Sequence, residues 1–175
     1  MRRALAAFYR LCGWLAGAFL LAIAVMVLAQ VGGRLVGLLV PLADEFGGFC
    51  LGASSFLALA MTFRAGGHVR VSLLLQHLAP GRRRLAELWC LGAAALLAGY
   101  FTYYLADMVR ESYLFGDVGQ GIVPTPLWLP QTGMALGMAA FALALVEELI
   151  VVARGGAPAY AAAEADELAL SSRGE

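Results

Sequence analysis

A chain of 175 residues that is 62% hydrophobic and only 14% charged lies far from water-soluble domains, in which roughly 25% of residues carry charge. Its twelve basic side chains are all arginine and are matched by twelve acids, so no charge excess speaks for nucleic acid or another polyanionic partner. With no lysine in the sequence, a glycine-rich phosphate loop ending in lysine is excluded, and an ATPase of that kind with it.

A helix needs about 20 mostly apolar residues to cross about 30 Å of hydrocarbon, and four stretches meet that requirement. Arg2, Arg3 and Arg10 precede the first, residues 11–32, whose one strongly polar side chain is Gln30. Two arginines before an apolar run resemble a secretory signal, but the run is too long for one and predicts an uncleaved helix. Arg34 follows, and then Asp44 and Glu45 stand just before the second span, residues 46–63. Acids at a helix amino terminus complement its dipole, and pairing of Arg34 with Asp44 or Glu45 is expected to cap the two adjoining helix ends.

Beyond the second span lie Arg64, His68 and Arg70, followed by Val71, Leu74, Leu75 and Leu78. These four apolar residues fall at i, i+3, i+4 and i+7, which predicts an amphipathic helix over residues 69–79 lying in the membrane interface. Pro80 and Gly81 end it, and Arg82, Arg83 and Arg84 lead into the third span, residues 88–106. Asp107, Arg110 and Glu111 are spaced as surface neighbours on a helical extension of that span. The fourth span covers residues 127–150; Glu147 and Glu148 sit near its end, within reach of water and of nearby arginines. Residues 1–153 thus form one all-α membrane domain, and the acidic, alanine-rich residues 154–175 read as a flexible tail.

Apolar runs this long show no period of two, which argues against a β-barrel and for helices, whose backbone hydrogen bonds are satisfied internally where there is no water. Pairs of small residues four apart provide close-packing faces in lipid: Gly13 and Gly17, Gly48 and Gly52, Ala95 and Gly99, Gly133 and Gly137. Ten arginines fall on the side of the two termini and only Arg34 and Arg110 on the other, which predicts both termini in the cytoplasm.

Little else suggests chemistry. Cys12, Cys50 and Cys90 are far apart and form no Cys-x-x-Cys pair, so they read as small core residues. His68 and His77, the two histidines, fall outside every span, whereas haem held between helices needs ligands inside the bundle. No catalytic residue, substrate site, metal site or cofactor is expected in this chain. Its size and span number nevertheless leave two competing readings, a four-helix anchor of a haem or quinone redox complex and a stand-alone four-span carrier or channel, against which spans so poor in charge already count.

The middle of the chain carries a more specific pattern. Arg34, Pro41-Leu42-Ala43-Asp44-Glu45, the run Phe49-Cys50-Leu51-Gly52-Ala53, the segment Arg64-Ala65-Gly66-Gly67-His68-Val69-Arg70-Val71 and Pro124-Thr125-Pro126-Leu127-Trp128 together resemble the small permease (DctQ-type) subunit of tripartite ATP-independent periplasmic (TRAP) transporters. The likeness extends over residues 10–153, with a departure at Ser72, where the family often has aspartate. It implies a non-catalytic subunit of the bacterial inner membrane, embedded in membrane lipids and without cofactor. Such a subunit is a scaffold for a large membrane subunit that carries the substrate and sodium path, and it works with a periplasmic binding protein that delivers an organic acid. On this likeness Arg34, Asp44 and Glu45 order the outer helix ends or touch the docking protein, while His68 and Arg70 fix the interfacial helix.

Overall fold

The computed structural model describes residues 2–38, 43–65, 80–121 and 123–156. They form four long helices: α1 Arg2–Leu35, α2 Ala43–Arg64, α3 Pro80–Phe115 and α4 Trp128–Ala153. All four are long and apolar enough to cross a membrane, and no strand occurs among the described residues. The amphipathic helix expected over residues 69–79, with Val71, Leu74, Leu75 and Leu78, lies outside the described residues, as do His68 and Arg70.

The helices exceed the apolar stretches that mark them. α3 has 36 residues, about 54 Å at 1.5 Å per residue, against about 30 Å of hydrocarbon. The surplus is polar at both ends: α3 begins at Pro80 and carries Arg82, Arg83 and Arg84 in its opening turns. Proline favours that first position because its missing N–H would have no partner there. Pro80 and Gly81, expected from the sequence to end the preceding segment, are the first two residues of the third helix. Pro130 occupies the first turn of α4 for the same reason.

The stops are equally local. At the end of α4, Gly155 takes φ 80° and its N–H donates to the Val152 carbonyl at 3.0 Å, while the Gly156 N–H donates to Val151 at 2.9 Å. α3 ends likewise, with Gly116 at φ 67° and the Asp117 N–H on the Ser112 carbonyl at 3.0 Å. Glycine adopts this left-handed turn without steric cost, and the paired bonds occupy carbonyls that the helix leaves open.

The helices stand in an open row, α1 beside α2, α2 beside α4 and α4 beside α3, with only slight contact between α1 and α4. Of the membrane-crossing stretches, 39% of α4 and 28% of α2 is buried within the protein, against 11% each for α1 and α3. α2 buries Ala53, Ser54, Leu57, Ala60 and Phe63, a stripe of steps of three and four. α4, flanked on two sides, buries Gly137, Ala140, Ala144 and Glu148 together with Met138, Leu145 and Val152. The outer helices expose Trp14, Leu20, Leu21 and Leu28 on α1 and Leu96, Leu97, Tyr100 and Tyr103 on α3, surfaces whose apolar solvent is lipid.

Small residues set the α2–α4 spacing. A methyl group placed on Gly137 would overlap the α2 backbone, 2.5 Å from the Leu57 nitrogen and 2.6 Å from the Phe56 oxygen; one on Gly133 would stand 3.1 Å from the Ala53 Cβ. Gly52 answers from α2, where a methyl would lie 3.2 Å from the Met134 sulfur, and Gly13 of α1 lies under the Met61 sulfur at 2.7 Å on the same measure. Gly17, Gly48 and Gly99 have nothing within 4 Å in that direction, so spacing alone marked more packing glycines than the fold uses. The buried Ser54 hydroxyl donates to the Ala16 carbonyl at 2.9 Å and ties α1 to α2. Gly137→Ala should therefore lower the thermal unfolding midpoint in detergent by an amount equivalent to about 1–3 kcal/mol, whereas Gly99→Ala should leave it unchanged or raise it.

Candidate functional site: polar ties at the two membrane faces

Apart from the buried Ser54 bond to Ala16, polar contacts between helices gather at the two ends of the helices. On the face that carries the start of α1 and the end of α4, Arg64 closes α2 and its Nη1 meets Glu147 Oε2 of α4 at 2.8 Å. The Tyr9 hydroxyl of α1 donates to the same oxygen at 3.4 Å, and the Arg64 guanidinium carbon stands 4.8 Å from the centre of the Tyr9 ring. One carboxylate thus joins three helices. The two charged side chains are 28% and 22% exposed, deep enough to be partly desolvated yet within reach of the interface. Glu148 beside it is buried.

On the same face, Arg84 of α3 donates from Nη2 to the Ala153 carbonyl at 2.9 Å, a cation at the negative end of the α4 dipole. The pairing expected between Glu147 and a nearby arginine is realised by Arg64. Tyr9 carried no sequence signal beyond its place before an apolar run, because the partner that makes it polar is 138 residues away.

At the opposite face, Asp44 and Glu45 occupy the first turn of α2. Asp44 does not pair with Arg34: its Oδ1 accepts from Gln30 Nε2 of α1 at 3.0 Å. Gln30 lies one helical turn before Arg34, and its shorter side chain spans the gap to α2 while Arg34 stays exposed. Among the described residues no ion pair joins Arg34 to either acid. The capping role foreseen for Arg34 falls to Gln30, the lone polar residue of the first span.

Glu45 turns toward the connection between α3 and α4. That connection is a short hairpin in which Val118 bridges Pro126, the Gly119 N–H donates to the Thr125 carbonyl at 2.8 Å and the Leu127 N–H to Asp117 at 3.0 Å. The Glu45 carboxylate lies where side chains on Gly119 and Gly121 would stand, so the two glycines open the hairpin to it. Tyr113 and Trp128 meet edge to face at 5.7 Å beneath. Arg110 and Asp107 form the expected surface pair at 3.3 Å. The acidic pair thus serves two neighbours, Asp44 the end of α1 and Glu45 the hairpin, and ties both to the start of α2 at this face.

Two outcomes follow. Arg64→Gln and Glu147→Gln should each lower the thermal midpoint, and the double variant should lose less than the two combined, a coupling on the order of 1 kcal/mol; additive losses would deny the tie. Glu45→Ala should speed amide hydrogen exchange at Gly119 and Leu127 while the middle of α2 keeps its protection.

A comparison with curated proteins finds no match. The family model described as "Tripartite ATP-independent periplasmic transporters, DctQ component" matches residues 23–155, about three quarters of the chain, from the middle of α1 to the glycine that stops α4. It favours a transporter component over the redox anchor and over an enzyme. Four membrane-crossing helices, tied to one another at both faces and apolar between them, belong to a multi-pass membrane protein of the DctQ family, the small membrane component of TRAP transporters.

Proposed function

We propose that this chain is the fixed membrane scaffold of a three-part carrier, holding a large membrane subunit in place while that subunit moves an organic acid together with sodium. A periplasmic binding protein delivers the acid, the assembly lies in the bacterial inner membrane, and both termini face the cytoplasm, as the arginine distribution favours. The observation that carries this reading is where the charge sits. No ionisable residue other than cysteine or tyrosine interrupts residues 11–33, 46–63, 88–106 or 128–146, and the charged and amide side chains that join helices of this same chain do so at its two faces.

Carriers hold substrates and ions with polar groups or broken helices near the membrane centre. The four helices here run without a break through their apolar stretches, which suits support of a neighbour better than passage of a solute. α1 and α3, each with a single close neighbour in the row, leave outer faces free for lipid and for the large subunit. Sodium coupling and acid selection belong to that subunit, and Arg34, exposed at the outer face, stands where the binding protein would dock.

Copurification and transport test the reading together. The tagged chain should bring down one large multi-span protein in mild detergent, and proteoliposomes holding both, supplied with binding protein and acid, should take up the acid only with a sodium gradient. Omitting this chain should abolish uptake. Sodium-driven uptake that survives its omission, or uptake by this chain alone, would overturn the proposal.

A further inference from the structure

The seam between α1 and α2 is closed on one side and open on the other. Ser54 bonds to the Ala16 carbonyl and Met61 covers Gly13, but next to these contacts runs a groove of about 460 Å³ lined by Arg10, Trp14, Gly17, Leu20, Ala58 and Met61. That volume lies in the range of small-molecule sites. A smaller hollow of about 260 Å³, bordered by Tyr9, Arg10, Met61 and Arg64, continues it toward the face bearing the amino terminus. Arg10 and Met61 belong to both.

The groove is polar at one end only. Arg10 is exposed at its mouth, and among the described residues no acid pairs with it, whereas Arg64 beside it is held by Glu147. Along the walls, the Thr62 hydroxyl is already bonded to the Ala58 carbonyl at 2.9 Å, so what faces the groove above Arg10 is hydrocarbon. Trp14, 79% exposed, stands one turn above Arg10, at the depth where indole favours the boundary between headgroups and chains.

Length identifies the occupant. From Arg10 to Leu20 the helix rises about 15 Å, half of the roughly 30 Å hydrocarbon core, so the groove spans one leaflet and stops. A transmembrane helix of another protein, about 10 Å across with its side chains, would cross both leaflets and gain nothing from a cation at one end. A lipid of that leaflet has the right length, an apolar tail and an anionic phosphate at the required end.

We propose that the α1–α2 seam is a binding site for one membrane glycerophospholipid, its phosphate on Arg10 and one acyl chain lying over Gly17 and Ala58 as far as Leu20. The bound lipid completes the packing that the missing side chain of Gly17 leaves open. The inference requires only that the helices cross a bilayer and does not depend on the transport reading.

The test uses the full chain purified in detergent, stripped of lipid and titrated with palmitoyl-oleoyl phosphatidylglycerol under native mass spectrometry. The wild type should retain one lipid under activation that removes the rest. Gly17→Leu should reduce that retention at least tenfold while keeping the thermal midpoint, because a Cβ there would have nothing within 4 Å and the rest of the side chain would extend into the groove. Arg10→Gln should weaken binding of the phospholipid about tenfold, as expected for loss of one charge-assisted contact. The same variant should bind dioleoylglycerol, which lacks phosphate, as the wild type does. Should Gly17→Leu fold poorly, Ala58→Leu fills the groove from the other wall and must give the same loss. Equal retention by the wild type, the groove-filling variants and Arg10→Gln would overturn the site. So would a groove-filling variant that keeps the lipid but no longer copurifies with a large membrane subunit, since the groove would then belong to a protein.

Discussion

Contact between the backbones of α2 and α4 at Gly137 is the constraint from which the other features follow. In lipid, apolar side chains gain little by leaving one hydrocarbon environment for another, so helices associate where their surfaces fit closely enough to multiply dispersion contacts. Gly137 and Gly133 on one side and Gly52 and Ala53 on the other allow that approach. Once α2 and α4 are joined, α1 has the remaining face of α2 and α3 the remaining face of α4, and the row is determined.

Polar groups then fix what packing leaves free. Apolar surfaces can slide along one another at small cost, whereas a charged or amide group in a partly desolvated place has few alternatives. Glu147 with Arg64 and Tyr9 at one face, and Asp44 with Gln30 at the other, set the register of α1 and α2, and of α2 and α4, near their ends. Tying both ends in this way resists sliding and tilting without placing a charge in the hydrocarbon centre, where it would cost several kcal/mol.

How much was legible in the sequence follows the range of the interaction concerned. Hydrophobic length and arginine position gave four spans, whereas the helix stops at Gly116 and Gly155 lie beyond the apolar stretches and were not read from them. Acids in the first turn of α2 were as visible as the spans. Their partners were not: Arg34 was the electrostatically obvious choice for Asp44, but reach along the helix selected Gln30. Tyr9 with Glu147 and Glu45 with the hairpin glycines are contacts between distant parts of the chain, and nothing in either segment alone specifies the other. Glycine pairs at a spacing of four occur on every face of a glycine-rich helix, so which of them pack depended on the order of helices in the row.

That order differs from the order of synthesis. The chain makes α3 before α4, yet α4 is the helix that lies against α2, with α3 on its far side. When α3 has entered the membrane, the small-residue face of α2 still has lipid as its neighbour, and it stays so until α4 arrives between them. One of the two inner helices of the row is therefore made after both of the helices it lies between, and the structure closes around its latest arrival rather than growing outward from its first.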